Sequence, residues 1–236
     1  MTAAACPENA SAPAGAHSAR AAYCDVDGTL SRTHIVGPLV FFQRRLLPRA
    51  AYGLWLATLP LRGAYWLLLD KFSRAASNRA IYACYAGWEA ARIKALAREC
   101  FDAYWRPRLS REGLERLARL RQDGVQLVLV TGSLDFLLEP LARETGAELI
   151  APRLEERDGR FTGRLDGGPL TGEGKADAVR EHAARHGVDL SASSSFGDAL
   201  GDRLMLECVG HPVAVNPGRR LRALATRRGW AVERWR

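Results

Sequence analysis

The sequence predicts an α/β protein, a parallel sheet flanked by helices and interrupted by one all-helical insertion, on three observations. After residue 120, short apolar runs ending at Thr, Gly or Asp alternate with helical patterns. A similar run, Ala21-Ala-Tyr-Cys-Asp-Val26, stands alone near the start. Between the two lie about eighty residues of helical texture without strand alternation.

Taken in order, residues 1–20 are rich in Ala, Ser and Pro and hold no apolar run, which predicts a disordered leader rather than a signal peptide. The run from Ala21, bounded by Gly28, reads as a buried strand entering a turn. From Gly37 to Arg119 the pattern is helical, punctuated by Pro48, Pro60 and Pro107. Within it Ala50 to Leu69 is long enough for a membrane span, but Pro60 and Arg62 sit near its middle, where an Arg costs about 2.5 kcal/mol or more. Two buried helices broken at Pro60 are the expectation. A helix in a membrane interface, with Trp55, Tyr65 and Trp66 at headgroup depth and Arg44, Arg45, Arg49 and Lys71 on anionic lipid, is the alternative. Val125 to Val130 is a strand followed by Thr131-Gly132-Ser133 and a helix from about Leu134. Glu148 to Ala151 is a short strand, and Glu155 to Leu165 a hairpin turning at Asp158-Gly159. Lys175 to His186 is a helix, Ser193 to Phe196 a strand ending at Gly197-Asp198, and Asp202 to Cys208 a helix. His211 to Val215 is a strand, followed by a basic helix. The expected organisation is a core of residues 21–36 and 120–236, joined by right-handed crossovers, with residues 37–119 inserted.

The 236 residues carry 34 Lys+Arg against 26 Asp+Glu, a net charge of +8, and 47% hydrophobic residues, a balance that excludes collagen-like repeats, global disorder and a many-spanning membrane protein. The five cysteines (Cys6, Cys24, Cys84, Cys100 and Cys208) form no CxxC pair, which argues against a disulfide framework or a zinc knuckle and for a reducing compartment. With no signal peptide recognised, a cytoplasmic location is expected. The positive balance suits an anionic substrate, an anionic membrane or nucleic acid. Its Arg residues are spread through the chain, densest from Arg219 to Arg236, and no basic stretch is interleaved with aromatics in a nucleic-acid pattern, so no nucleic-acid partner is expected.

Three strand ends carry chemistry-bearing residues, and an open parallel sheet places ligands outside its carboxyl edge. The first is Asp25-Val26-Asp27-Gly28-Thr29-Leu30. Strand alternation would point Asp25 and Asp27 the same way, and a divalent cation would relieve their repulsion. The second, Thr131-Gly132-Ser133, offers a hydroxyl and N–H groups at a helix start, suited to a phosphate oxygen. The third, Gly197-Asp198-Ala199-Leu200-Gly201-Asp202, sets two carboxylates four residues apart, and Gly174-Lys175 adds a cation. Each piece alone has a bland reading as a solvated turn, a helix cap or a surface lysine; their order and strand-end placement carry the argument.

At these residues the chain resembles the haloacid dehalogenase superfamily of phosphohydrolases, through Asp25-x-Asp27-Gly28-Thr29-Leu30, the strand ending in Thr131, Lys175, and Gly197-Asp198-x3-Asp202. The resemblance covers about residues 21–36 and 120–218. The helical insertion resembles the cap of the phosphoserine-phosphatase-like branch, which lies between the first two motifs. It implies a Rossmann-like core under a helical cap, Mg²⁺ as cofactor and a small phosphate ester as substrate. Asp25 would be the nucleophile that forms an aspartyl-phosphate, and Asp27 the general acid and base. Thr131 and the Gly132 N–H would bind phosphoryl oxygens, and Lys175 would neutralise charge. Asp25, the Asp27 carbonyl, Asp198 and Asp202 would hold the metal. Hard oxygen donors of this kind suit Mg²⁺. A non-catalytic binding module on a retired fold is disfavoured, because Asp25, Asp27, Lys175 and Asp198 are all present.

The chain departs from the phosphoserine-specific pattern at two places. The Glu nine residues after the nucleophile is replaced by His34, at the cap entrance, which is read either as a substrate contact or as a structural residue. The cap Arg that meets the substrate carboxylate falls at Ile81 or Tyr82, with Arg79 close by. Phosphoserine and histidinol phosphate therefore stand as alternatives beside a general phosphomonoester. Residues 31–120 hold 16 Lys+Arg against 6 Asp+Glu and four of the six tryptophans. That basic, apolar cap resembles the one in phosphatases of phosphatidylglycerophosphate, which adds a lipid-like substrate and peripheral membrane contact to the alternatives.

Overall fold

The computed structural model describes residues 19–236. Nearly all of the expected leader at 1–20, with Cys6, lies outside the described residues. Eight strands form: β1 (Ala21–Cys24), β2 (Gln126–Val130), β3 (Glu148–Ile150), β4 (Arg153–Arg157), β5 (Arg160–Asp166), β6 (Ser194–Gly197), β7 (His211–Val215) and β8 (Ala231–Glu233). Six make one all-parallel sheet in the order β3-β2-β1-β6-β7-β8, while β4 and β5 form a separate antiparallel hairpin. The expected architecture, a parallel-sheet core with an inserted helical subdomain, is the one observed. β1 lies at the centre and its four residues are fully buried. Ala22 and Cys24 join the core on one face, Ala21 and Tyr23 the core on the other. A strand covered on both faces reads as an unbroken apolar run, which is why AAYC shows no alternation.

The helices are α1 (Val36–Leu46), α2 (Arg49–Phe72), α3 (Arg74–Tyr82), α4 (Ala90–Ala95), α5 (Ala97–Cys100), α6 (Arg111–Gln122), α7 (Asp135–Thr145), α8 (Glu173–His186), α9 (Arg203–Leu206) and α10 (Arg219–Arg228). The first five form the insertion. The expected boundary at 119/120 falls inside α6, whose Leu117 and Leu120 are buried and which packs on β2.

The expected break at Pro60 does not occur, because α2 is continuous from Arg49 to Phe72 with Pro60 inside it. A proline in a helix interior costs about 3 kcal/mol. Trp55 and Leu59 before it and Trp66 after it pack against the same core and hold both halves in place. The expected burial also fails, since of its 24 residues only Trp66 is buried. Leu54, Leu61, Tyr65, Leu68 and Phe72, spaced as one helix face, are 54–84% exposed. Among the described residues no helix is long and apolar enough to cross a membrane.

The hairpin turns where Asp158-Gly159 placed it: both residues have positive φ, 50° and 73°, as a two-residue turn matched to strand twist requires. It leaves the sheet and joins the insertion. The Gly87 N–H donates to the Phe161 carbonyl (2.8 Å), the Phe161 N–H to the Trp88 carbonyl (2.9 Å) and the Ala90 N–H to the Gly159 carbonyl (2.9 Å). Phe161, 2% exposed, stacks on Phe136 of α7 at 5.8 Å, so one ring ties the hairpin to the core. Phe161→Ala is expected to lower unfolding free energy by about 3–5 kcal/mol in a urea titration. A loss under about 1 kcal/mol would show that the hairpin is held by its backbone bonds instead.

Candidate active site

The three carboxyl-edge motifs converge because their strands are neighbours. Asp25 follows β1, and its N–H donates to the Phe196 carbonyl of β6 at 3.0 Å. Thr131 follows β2, and Asp198 follows β6. Gly28 has a φ of +100°, and a Cβ there would lie 2.6 Å from an Asp198 oxygen. Only glycine lets the first loop close over that carboxylate.

Lys175, in the first turn of α8 and 6% exposed, reaches the edge from the face of the sheet. Its Nζ donates to Asp25 Oδ1 at 2.5 Å and to Asp202 Oδ1 at 2.7 Å. Burial works against the ammonium, but Asp202 and Asp25 outweigh it and hold its pKa above the ordinary lysine value. Asp25 is pushed up to about 8, by burial first and by the charges of Asp202 and Asp198, with Lys175 opposing. Asp198 is raised as well, by burial and then by Asp202, while the Thr29 hydroxyl donating to its Oδ1 at 3.1 Å opposes the shift.

One carboxylate oxygen from each of Asp25, Asp198 and Asp202 lies within 4.8 Å of the others. Asp25 Oδ2 is buried without a hydrogen-bond partner among the described residues. Three hard, negative oxygen donors, one of them orphaned, fit a small divalent cation: Mg²⁺ prefers such ligands, and its charge would relieve the repulsion that raises Asp25 and Asp198.

Asp27 stands apart from this trio. The strand ends at Cys24, so alternation does not extend to Asp27, which lies in the turn after it. Its Oδ1 accepts from Thr33 (2.6 Å) and from the Trp105 indole N–H (3.3 Å), and its Oδ2 from Ser133 (2.6 Å) and Thr131 (3.2 Å). The Thr131 hydroxyl is thus turned to Asp27, and it also accepts the Ser133 N–H at 3.0 Å. Gly132 lines the cavity, and its carbonyl accepts from the Tyr82 hydroxyl of α3.

The cavity over these groups measures about 490 Å³. The insertion roofs it with Ser73, Arg74 and Asn78, while His34 stands exposed at its rim. The His34 N–H donates to the Tyr104 hydroxyl (2.9 Å), which donates back to the His34 carbonyl (3.0 Å). Ile81 and Tyr82 are buried inside the insertion, and Arg79 is exposed and outside the cavity lining. The cation in the roof is Arg74, which the motif count missed. Its only sequence signal was Ser73, the N-cap whose hydroxyl accepts from the Ala76 N–H at 3.2 Å and so starts α3 at the cavity. Thr33 and Trp105 were missed too, and Ser133, read as part of the phosphate loop, was not tied to Asp27, since nothing in their spacing points at it.

A raised carboxyl pKa makes the folded state bind a proton that the unfolded chain has released. The stabilisation is complete below the unfolded value and is lost as pH rises through about 8 for Asp25. With EDTA present, the melting temperature of the wild type is expected to fall as pH rises from roughly 4 to roughly 8. Asp25→Asn should flatten that slope, and an unchanged slope in the variant would assign the titration to other groups.

Comparison with known proteins agrees with this geometry. The pattern of the haloacid dehalogenase-like hydrolases matches residues 22–207. A probable phosphatase of Mycobacterium tuberculosis (strain ATCC 25618 / H37Rv) is 32% identical over 220 residues, covering 90% of this chain and 74% of that protein. A phosphoserine phosphatase of the same organism is 36% identical over 222 residues, covering 92% and 71%. Among solved structures, a protein of unknown function from Bordetella pertussis Tohama I superposes with a TM-score of 0.78 at 28% identity, covering 92% of this chain and 98% of that one. With its acidic cluster at the carboxyl edge under a helical cap, the chain belongs to the haloacid dehalogenase-like hydrolases and is a phosphatase of that family.

Proposed function

We propose that the chain hydrolyses a small phosphate monoester of the phosphoserine kind by way of an aspartyl-phosphate on Asp25. The buried Asp25–Lys175–Asp202 cluster carries this reading. Asp25, fixed through Oδ1, attacks phosphorus; the bond to the ester oxygen breaks, and Asp27 gives a proton to the departing alcohol. Water then attacks phosphorus, Asp27 takes its proton, and the bond to Asp25 breaks to release inorganic phosphate. Lys175 and the Gly132 N–H, which no other described residue engages, offset charge on the phosphoryl oxygens. Asp25, Asp198 and Asp202, with the Asp27 carbonyl, would hold Mg²⁺, which supplies further charge neutralisation at the phosphoryl group. The hydroxyls of Thr33, Thr131 and Ser133 and the cap's Trp105 orient Asp27, so Thr131 serves the acid/base here as well as the phosphate.

Substrate choice rests on the roof. Arg74 offers a cation for a carboxylate, and Asn78, 5% exposed and with its Nδ2 3.5 Å from where a Gly132 Cβ would sit, offers an amide beside the phosphate loop. The resemblance to a phosphoserine phosphatase at 36% identity supports an amino-acid-like leaving group. His34 puts no negative charge opposite an ammonium. Mg²⁺-dependent phosphate release from O-phosphoserine is expected to fall more than about a thousandfold in Asp25→Asn. Arg74→Ala should raise KM for O-phosphoserine about ten- to a hundredfold, the worth of one charged hydrogen bond, and leave phosphoethanolamine unchanged. Equal effects on both esters would remove the carboxylate assignment, and faster turnover of histidinol phosphate would redirect the substrate.

The exposed face of α2 favours a second reading, in which the substrate is reached at an anionic membrane surface. Leu54, Leu61, Tyr65, Leu68 and Phe72 form an apolar stripe beside exposed Arg44, Arg49, Arg62 and Lys71, and α2 ends at Ser73 in the cavity roof. Such a face suits an interfacial helix on anionic lipid. The protein is then expected to sediment with phosphatidylglycerol vesicles at low salt, less so as salt rises, and less so with Leu61 and Phe72 changed to Ser. No sedimentation at low salt would end this reading.

A further inference from the structure

We propose a second metal site, for a borderline divalent transition ion such as Zn²⁺, formed by His182 and His186 of α8 and Glu148 at the start of β3, remote from the hydrolytic centre. His182 Nε2 lies 3.2 Å and His186 Nε2 3.8 Å from the same oxygen, Glu148 Oε2. Ligand atoms about 2.1 Å from a tetrahedral ion stand about 3.4 Å from one another, so these separations are those of a ligand set as well as of a hydrogen bond. The two imidazoles, one helical turn apart, stack at 4.4 Å with planes 17° from parallel, so the exposed His186 ring has to turn for both lone pairs to meet one ion. Two histidines at i and i+4 with one carboxylate form a three-ligand set that leaves a fourth position open, and the exposure of Glu148 and His186 opens that position to water.

The surroundings fit a ligand set. Tyr23, Val128 and Glu148 are register partners on three adjacent strands, so they form a row across one sheet face, and α8 lies over that face. His182, 3% exposed, meets the Tyr23 hydroxyl through Nδ1 at 3.0 Å. With Nδ1–H donating to that oxygen, Nε2 presents its lone pair outward. The Gln126 amide donates to Glu148 Oε1 and leaves Oε2 to the histidines. Such outer hydrogen bonds fix the tautomer and orientation of metal ligands.

Lys175, Val179, His182 and His186 fall on one face of α8, at spacings of 4, 3 and 4 residues. The same helix therefore carries the active-site lysine in its first turn and the proposed ligands in its last two. Zn²⁺ at the far end would pin α8 to β3 without touching the hydrolytic carboxylates.

The test uses the full chain, stripped with EDTA, in an Asp198→Asn background that disables the acidic trio. Zn²⁺ at about a hundred times its Kd is expected to raise the melting temperature by about 5–10 °C. One equivalent of Co²⁺ should give visible absorption bands of a low-coordinate nitrogen and oxygen site. His186→Ala and Glu148→Ala, both at exposed positions, should each weaken Zn²⁺ binding more than about tenfold. In the otherwise wild-type chain these two variants should leave Mg²⁺-dependent phosphatase activity in place. Absence of Zn²⁺ stabilisation in the Asp198→Asn protein would overturn the proposal. So would stabilisation that persists in both ligand variants.

Discussion

The structure depends on one buried ammonium held between two carboxylates. Lys175 compensates part of the charge that Asp25, Asp198 and Asp202 bring into a largely buried site, and it does so from a helix on the sheet face rather than from the edge itself. Charges so placed are costly unless paired, and breaking a buried pair leaves the partner uncompensated. The sheet order serves this pairing. β1 sits between β2 and β6, so the nucleophile, the phosphate loop and the metal-binding carboxylate occupy adjacent strand ends. The net negative charge that remains, and the further negative charge that a phosphate ester brings, are what a divalent cation would offset.

The insertion is as much a part of this chemistry as the core. Trp105 donates to Asp27, Tyr82 donates to the phosphate loop at Gly132, and Arg74 and Asn78 close the roof. The hairpin of β4 and β5, far along the chain, hydrogen-bonds to the insertion at Gly87, Trp88 and Ala90. The cap is therefore assembled from two separate stretches of chain. An opening movement that carries the hairpin breaks the stacking of Phe161 on Phe136, and one that leaves it behind breaks its hydrogen bonds to the insertion.

What the sequence made legible follows from how local each signal is. The strand-end motifs, the Asp158-Gly159 turn and the buried strands announce themselves in a few residues, because backbone geometry and burial act over that range. Asp25, Lys175, Asp198 and Asp202 were legible as a set and are brought together. Asp27 was read by strand alternation as pointing the same way as Asp25, but the strand ends at Cys24, and the Asp27 carboxylate meets Thr33, Trp105, Thr131 and Ser133. Arg74 was missed because a motif count places a residue along the chain and says nothing of which helix end meets the cavity. Pro60 was overread as a stop, when packing on either side of it outweighs its cost. β8, three residues at an exposed edge, carries too little pattern to be seen.

The position of β1 has a consequence for how the protein is made. Its partners in the sheet, β2 and β6, lie about a hundred and about a hundred and seventy residues further on. The central strand thus leaves the ribosome before either partner and must wait about 170 residues before it is paired on both sides. Until β6 emerges, Ala21 to Cys24 is an apolar segment with at least one hydrogen-bonding edge open, the kind that associates with other chains. The loops it must close are long, and entropy makes such pairings slow. Assembly of the catalytic centre consequently waits on β6, and nascent chains interrupted before residue 194 contain the nucleophile without the strand that carries its metal partner.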